Sequence, residues 1–137
     1  MRIFSEKIKY GLSAVFMLAK NYFNEHIQIK EIAHNENIPQ HYLEKLLLDL
    51  KKAGIVESIR GIKGGYKLKK QLNQIQIIDV IEALEGPISV LNYASSSDVL
   101  KFYWKDVESK IKQIFTVTLE DLVNEEKKLE EKLFFQI

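Results

Sequence analysis

IKEIAHNENIPQHYLEKLLLDLKKAGIVESIRGIKGGYKL, residues 29–68, contains two helical patterns, a turn, a stop and a glycine-rich hairpin. Ile29, Ile32 and Ala33 give a short first helix an apolar stripe, and the polar run His34-Asn35-Glu36-Asn37 breaks it. Ile38 and Pro39 open a second helix, since the fixed φ of proline suits a first helical turn. Leu43, Leu46, Leu47 and Leu50 recur at helical spacing and form one buried face. Ala53-Gly54 ends that helix, because glycine accepts the left-handed position beyond a C-cap. Ile55–Arg60 and Gly65–Lys69 read as strands joined by Gly61-Ile62-Lys63-Gly64. Helix, turn, helix and basic hairpin, in that order, predict a winged helix-turn-helix.

Working outward, Ser5 is the expected N-cap of an earlier helix running to about Asn21, with Ile8, Leu12, Val15, Phe16 and Ala19 on its apolar face. Asn21–His26 is polar and predicts a loop, after which Gln28 is expected to pair its backbone with the hairpin. Gln71-Leu72-Asn73 predicts a turn. Ile77–Glu85 predicts a short helix with Ile78, Ile81, Ala83 and Leu84 toward the core, stopped by Gly86-Pro87. Ile88–Ser97 has little pattern. Ser97 can cap a long helix carrying Leu100, Trp104, Val107, Ile111 and Ile114, a heptad-like seam suited to pairing two copies. Thr118 opens a last helix with Asp121 placed as in a capping box; its run of Glu and Lys is a solvated face. The expected architecture is mainly α with a small β-hairpin. Residues 1–86 form the winged helix-turn-helix, 87–97 a linking loop, and 98–137 a helical dimerisation region.

The 137 residues hold 20 Lys+Arg against 19 Asp+Glu, a net charge of +1, which excludes a histone-like polycation. The distribution is uneven. Ile29–Lys70 has nine basic and five acidic residues, net +4, whereas Pro87 onward has seven basic and nine acidic, net −2. Positive charge therefore concentrates on the part that would meet phosphate. There is no cysteine, so disulfides, thiolate nucleophiles and cysteine-held metal centres are excluded. No stretch approaches the ~18 apolar residues of a membrane span, and the N-terminus lacks a signal-peptide run, so a cytoplasmic protein without a membrane role is expected.

On the second helix of the motif, the face opposite the leucines carries His41, Lys45, Leu48 and Lys52, flanked by Gln40, Tyr42 and Glu44. Lys45 can donate to guanine, Gln40 can pair with adenine, Glu44 can accept from cytosine, and Leu48 can touch a thymine methyl group. At the hairpin tip, Arg60 and Lys63 stand among Gly61, Gly64 and Gly65, suiting Arg60 to a narrow minor groove. The GxxGG run does not follow a strand and open a helix, so it is not a phosphate-binding loop. His26, His34 and His41 lack metal-ligand spacing, no catalytic constellation is present, and no cofactor is expected. Double-stranded DNA with a pseudo-palindromic operator is the expected partner. The alternative is a winged-helix protein-interaction module that does not read DNA.

Several blocks resemble the Rrf-two (Rrf2) family of bacterial transcription regulators: Tyr10-Gly11-Leu12, Ile29–Ala33, Tyr42-Leu43-Glu44, Leu50–Val56, Ser58–Gly61, Gly64–Leu68, Ile77–Gly86 and Thr118–Leu122. Trp104 also falls where the family often has tryptophan on its long helix. The resemblance implies a dimeric, DNA-binding repressor that pairs through that helix. Two departures matter. Pro39 stands where the family often has a serine cap. Cluster-binding members have three cysteines in and around the segment equivalent to Ile88–Ser97, where this chain reads ISVLNYASSS. Thiolates hold iron–sulfur clusters, so the resemblance points to cluster-free members, governed by a regulatory enzyme partner or a small-molecule effector.

Overall fold

The computed structural model describes residues 1–24 and 26–136. Helices α1 (Glu6–Lys20), α2 (Ile29–Asn35) and α3 (Gln40–Lys52) precede the antiparallel strands β1 (Val56–Ile59) and β2 (Gly65–Leu68). A 3-10 turn at Leu72–Gln74, then α4 (Ile77–Glu85), α5 (Asp98–Ile114) and α6 (Leu119–Phe135) complete the described chain. This is the mainly α, winged helix-turn-helix architecture expected from the sequence. The loop expected over Asn21–His26 includes Glu25, which lies outside the described residues.

Leu43, Leu46, Leu47 and Leu50 of α3 are all buried, together with Ile32 of α2, Ile38 of the turn and Val56 of β1. Each such side chain removed from water contributes roughly 1.5–3 kcal/mol before conformational entropy is set against it. The break after α2 comes later than expected. His34 and Asn35 remain helical, and Asn37 turns the chain with φ 53°. Asparagine tolerates that conformation better than most residues. Pro39 occupies the N-cap of α3, its carbonyl accepting from the Leu43 N–H at 2.9 Å, so the helix begins at Gln40 without a serine.

The inward face of α1 differs from the expected one. Ile8, Val15 and Ala19 are buried as predicted, but Gly11, Ala14, Met17 and Leu18 are buried too, whereas Leu12 and Phe16 are only half-buried. Small residues accompany the rotation: a Cβ at Gly11 would run into the Leu84 side chain of α4, which packs into the room that the glycine leaves. In α4 the core is made by Ile77, Val80, Ile81 and Leu84, with Ile78 and Ala83 half-buried. Ser5 caps α1 by position only; its hydroxyl donates instead to Glu85 Oε1 at 2.6 Å, joining the start of α1 to the end of α4.

Two backbone pairings outside the hairpin orient the remaining parts. Ile27, rather than Gln28, bridges to Tyr66: the Ile27 N–H donates to the Tyr66 carbonyl at 2.9 Å and the Tyr66 N–H to the Ile27 carbonyl at 2.8 Å. The segment before α2 thereby adds one rung to the wing. Near the other end, Gln76 bridges to Thr118, and the N–H groups of Ile77 and Ile78 donate to the carbonyls of Val117 and Phe115. The α5–α6 connection is thus tied to the start of α4. Thr118 and Asp121 form the expected capping box of α6, and Leu119 and Val123 enter the core. Ser97, by contrast, makes no side-chain cap to α5.

Helix α5 buries none of its residues. Leu100 and Ile114 are 49% and 68% exposed, and Trp104, Val107 and Ile111 are half-buried. The preceding loop is linked to it by the Tyr93 hydroxyl, which donates to Glu108 Oε2 at 3.1 Å. That bond, followed by partial burial and the Glu108 charge, raises the pKa of the Tyr93 phenol.

Candidate nucleic-acid interface

Because the leucine face of α3 is buried, helical periodicity forces the opposite face outward. Gln40, His41, Glu44, Lys45, Leu48 and Lys52 are all exposed. Tyr42 lies at the edge of this face, half-buried, with its ring edge-on to Tyr10 at 5.8 Å between centroids. It braces α3 against α1 as well as bordering the solvent. His41 Nδ1 lies 4.0 Å from Glu44 Oε2. Lys45, Lys52, Arg60 and Lys63 are exposed, and among the described residues they form no ion pair.

The wing is built on the register Val56–Leu68, Glu57–Lys67, Ser58–Tyr66 and Ile59–Gly65. Lys67 and Glu57 face each other with Nζ and Oε1 3.5 Å apart. Lys51, at the end of α3, donates from Nζ to Ser58 Oγ at 2.8 Å and so couples that helix to the first wing strand. Tyr66 reports the same proximity: burial first, then the negative charge of Glu44, raises its phenol pKa. Arg60, Gly61 and Lys63 are exposed at the tip.

The glycines have folding reasons of their own. Gly61 adopts φ +123°, and its carbonyl accepts from the Gly64 N–H at 3.0 Å to close the turn. A Cβ at Gly64 would strike the backbone around Ile59–Gly61, and one at Gly65 would strike Ile27. These approaches are within the protein; they are part of the turn on which Arg60 and Lys63 are carried.

Two cations not singled out from the sequence join the same surface. Lys30, at the start of α2, lines a shallow groove with Arg60, Ser58 and Ile62. Lys7 of α1 pairs with Asp49 across 3.4 Å, beside a hollow bordered by Tyr42, Lys45, Leu48 and Lys52. Lys7 had no linear signal, because only the fold brings α1 beside the motif, and Lys30, although inside the motif, reaches the wing only through the packing of α2 against it.

A helix-turn-helix with a polar, cationic second helix, followed by a wing tied to that helix, defines a winged helix-turn-helix transcription regulator that binds DNA. The family model described as "Rrf2: Iron-dependent Transcriptional regulator" matches residues 4–125, and the chain belongs to that family. It is 38% identical over 122 residues to the HTH-type transcriptional regulator CymR of Bacillus subtilis (strain 168), with 88% of each chain covered. The solved structure of CymR, described as the global cysteine regulator of B. subtilis, aligns with TM-score 0.82 at 37% identity, covering 90% of this chain and 98% of that one. The solved IscR of T. potens aligns with TM-score 0.80 at 32% identity, covering 92% and 89%.

The iron named in the family description meets no suitable donor set here. The chain contains no cysteine, and no group of three or more His, Asp or Glu side chains converges among the described residues. A thiolate-held cluster does not fit these residues.

Proposed function

We propose that this protein is a homodimeric repressor that reads a pseudo-palindromic operator without an iron–sulfur cluster. The observation that carries the reading is the combination, on one chain, of the exposed cationic α3 face and wing with a long helix that buries nothing. One surface needs phosphate and base edges; the other needs apolar cover.

Within this reading α3 enters the major groove. Lys45 donates to guanine O6 or N7, Gln40 and Glu44 address neighbouring bases, and His41, Tyr42 and Lys52 border the contact. Arg60 enters the adjacent minor groove from the wing, with Gly61, Lys63 and Gly64 forming the tip around it. Leu100, Trp104, Val107, Ile111 and Ile114 pair with the same residues of a second copy. An apolar groove bordered by Leu12, Phe16, Ile77, Val117 and Leu122 also includes Ile114, which supports the pairing by extending the apolar surface beyond the helix itself.

Residues 1–86 act as the reading head, 87–97 as the link, and 98–137 as the pairing region, with the first turns of α6 seated on the head. No helix among the described residues is long and apolar enough to cross a membrane, which suits action on DNA in the cytoplasm. The missing thiolates favour control by a regulatory enzyme partner or a small-molecule effector.

Selection of bound fragments from random double-stranded DNA tests the reading. The selected sites should contain two inverted half-sites about one helical turn, or a multiple of it, apart. If each half contacts ~4 phosphates, log K against log salt should slope near −7, at about −0.9 per phosphate. A winged-helix module that does not read DNA would return no enriched sequence and little salt dependence. Transcription from a promoter carrying the selected site should fall when the protein is added; a rise would overturn repression while leaving DNA reading intact.

A further inference from the structure

We propose that His26 is a positioning residue for DNA recognition, acting through the wing tip; this rests on the DNA-reading function proposed above. His26 lies outside the helix-turn-helix and outside the wing, yet its imidazole Nε2 hydrogen-bonds the backbone carbonyl of Lys63. A carbonyl can only accept, so Nε2 is the donor and carries the proton. The next residue, Ile27, exchanges both backbone hydrogen bonds with Tyr66. The chain between α1 and α2 therefore grips the wing twice, by backbone at β2 and by side chain at the tip.

The second grip matters because of what it holds. Lys63 sits between Arg60 and the Gly64-Gly65 pair, in a tip whose own closure is the Gly61–Gly64 hydrogen bond. Glycines make such a loop free to sample many backbone conformations. Anchoring the Lys63 carbonyl removes part of that freedom before DNA arrives, so less ordering remains to be done on binding. The Arg60 guanidinium and Lys63 ammonium are then presented from a fixed frame. His26 itself needs no contact with DNA for this role.

Glutamine carries an N–H donor at nearly the reach of imidazole Nε2, whereas alanine carries none. Binding to the selected operator should be measured at matched salt for wild type, His26→Ala, His26→Gln, Arg60→Ala and the His26→Ala/Arg60→Ala double variant. His26→Ala should bind about three- to tenfold more weakly, the size expected of one hydrogen bond, and His26→Gln should bind within about twofold of wild type. With Arg60 already removed, His26→Ala should cost less than about twofold, because the two residues act as one unit. Wild-type affinity in His26→Ala, or a His26→Ala loss undiminished in the Arg60→Ala background, would overturn the inference. If His26→Ala melts earlier than wild type, His26→Gln decides: restored binding supports the inference, and weak binding with wild-type melting overturns it. Failure of the wild type itself to bind any selected DNA would overturn the function and this inference together, whereas the other failures leave the function standing.

Discussion

Gly65 lies so close to Ile27 that a β-carbon on it would overlap the Ile27 carbonyl oxygen. The neighbouring atoms in that contact are backbone, the Ile27 carbonyl carbon and the Gln28 nitrogen, which no side-chain rotation can move aside. Gly65→Ala should therefore part the wing from the segment before α2, losing the paired hydrogen bonds between Ile27 and Tyr66. A loss of about 1–3 kcal/mol in urea unfolding is expected, with weaker operator binding among the molecules that remain folded. Unchanged stability would show that the Ile27 strand yields without cost.

The unpaired helix gives a second prediction. Ile111 belongs to the α5 seam, and a glutamate there would have to lose its hydration if two such helices met. Wild-type protein should sediment as a dimer at micromolar concentration, and Ile111→Glu should shift it to monomer. Its far-ultraviolet dichroism should stay close to wild type, because α5 buries no residue within its own chain. A wild type that sediments as a monomer at that concentration would rule out the seam as the pairing surface.

The α6 cap has a definite pH sign. Asp121 accepts from the Thr118 N–H at 3.0 Å, and its own N–H donates to Thr118 Oγ1 at 3.1 Å. The hydrogen bonds from the Thr118 backbone and side chain hold the carboxyl below its ordinary value. A group whose pKa is depressed by folding stabilises above its unfolded pKa, and that contribution disappears as pH falls through the folded one. Asp121→Asn should thus lower stability at neutral pH, and its deficit should shrink in acid, as the wild-type carboxyl takes up its proton below the ordinary carboxylate range. Thr118→Ala should cost about 1 kcal/mol at neutral pH. Urea midpoints at neutral and acid pH decide it; an equal Asp121→Asn deficit at both would mean that charge has no part in the cap.

Much of this fold was legible because its signals are local. The leucines of α3, the glycine after it, the wing glycines and the Thr118–Asp121 box each declare themselves within a few residues. Wherever contacts depend on partners distant in sequence, legibility fell. Hydrophobic periodicity weights large side chains, so it placed Leu12 and Phe16 on the α1 core face and missed the Leu84 side chain packed on Gly11 and the burial of Ala14. The pairing of the segment before α2 with the wing was expected one residue on, at Gln28 instead of Ile27, and the hydrogen bond from His26 to Lys63 has no linear signature at all. The exposed face of α3 followed directly from its buried one, but Lys7, outside the motif, reached the candidate interface only through tertiary packing.

The two reading elements should fail in different ways when altered. Lys45 projects from the exposed face of α3, where a major groove offers guanine O6 and N7 as acceptors. Lys45→Ala should cost about 1–3 kcal/mol on the best site and relax preference mainly at one base position. Arg60 projects at the wing tip, and an arginine in a minor groove responds to groove width, which varies with sequences it never hydrogen-bonds. Arg60→Ala should weaken binding and flatten the preference for A·T-rich flanks while leaving the major-groove positions intact. Circular dichroism should be unchanged in both, since both side chains are exposed. Site selection with wild type and the two variants at one salt concentration separates these outcomes. Relaxation of the same positions in both variants would mean that helix and wing read one feature jointly. Wild-type affinity and preference in both would remove these side chains from the recognition surface.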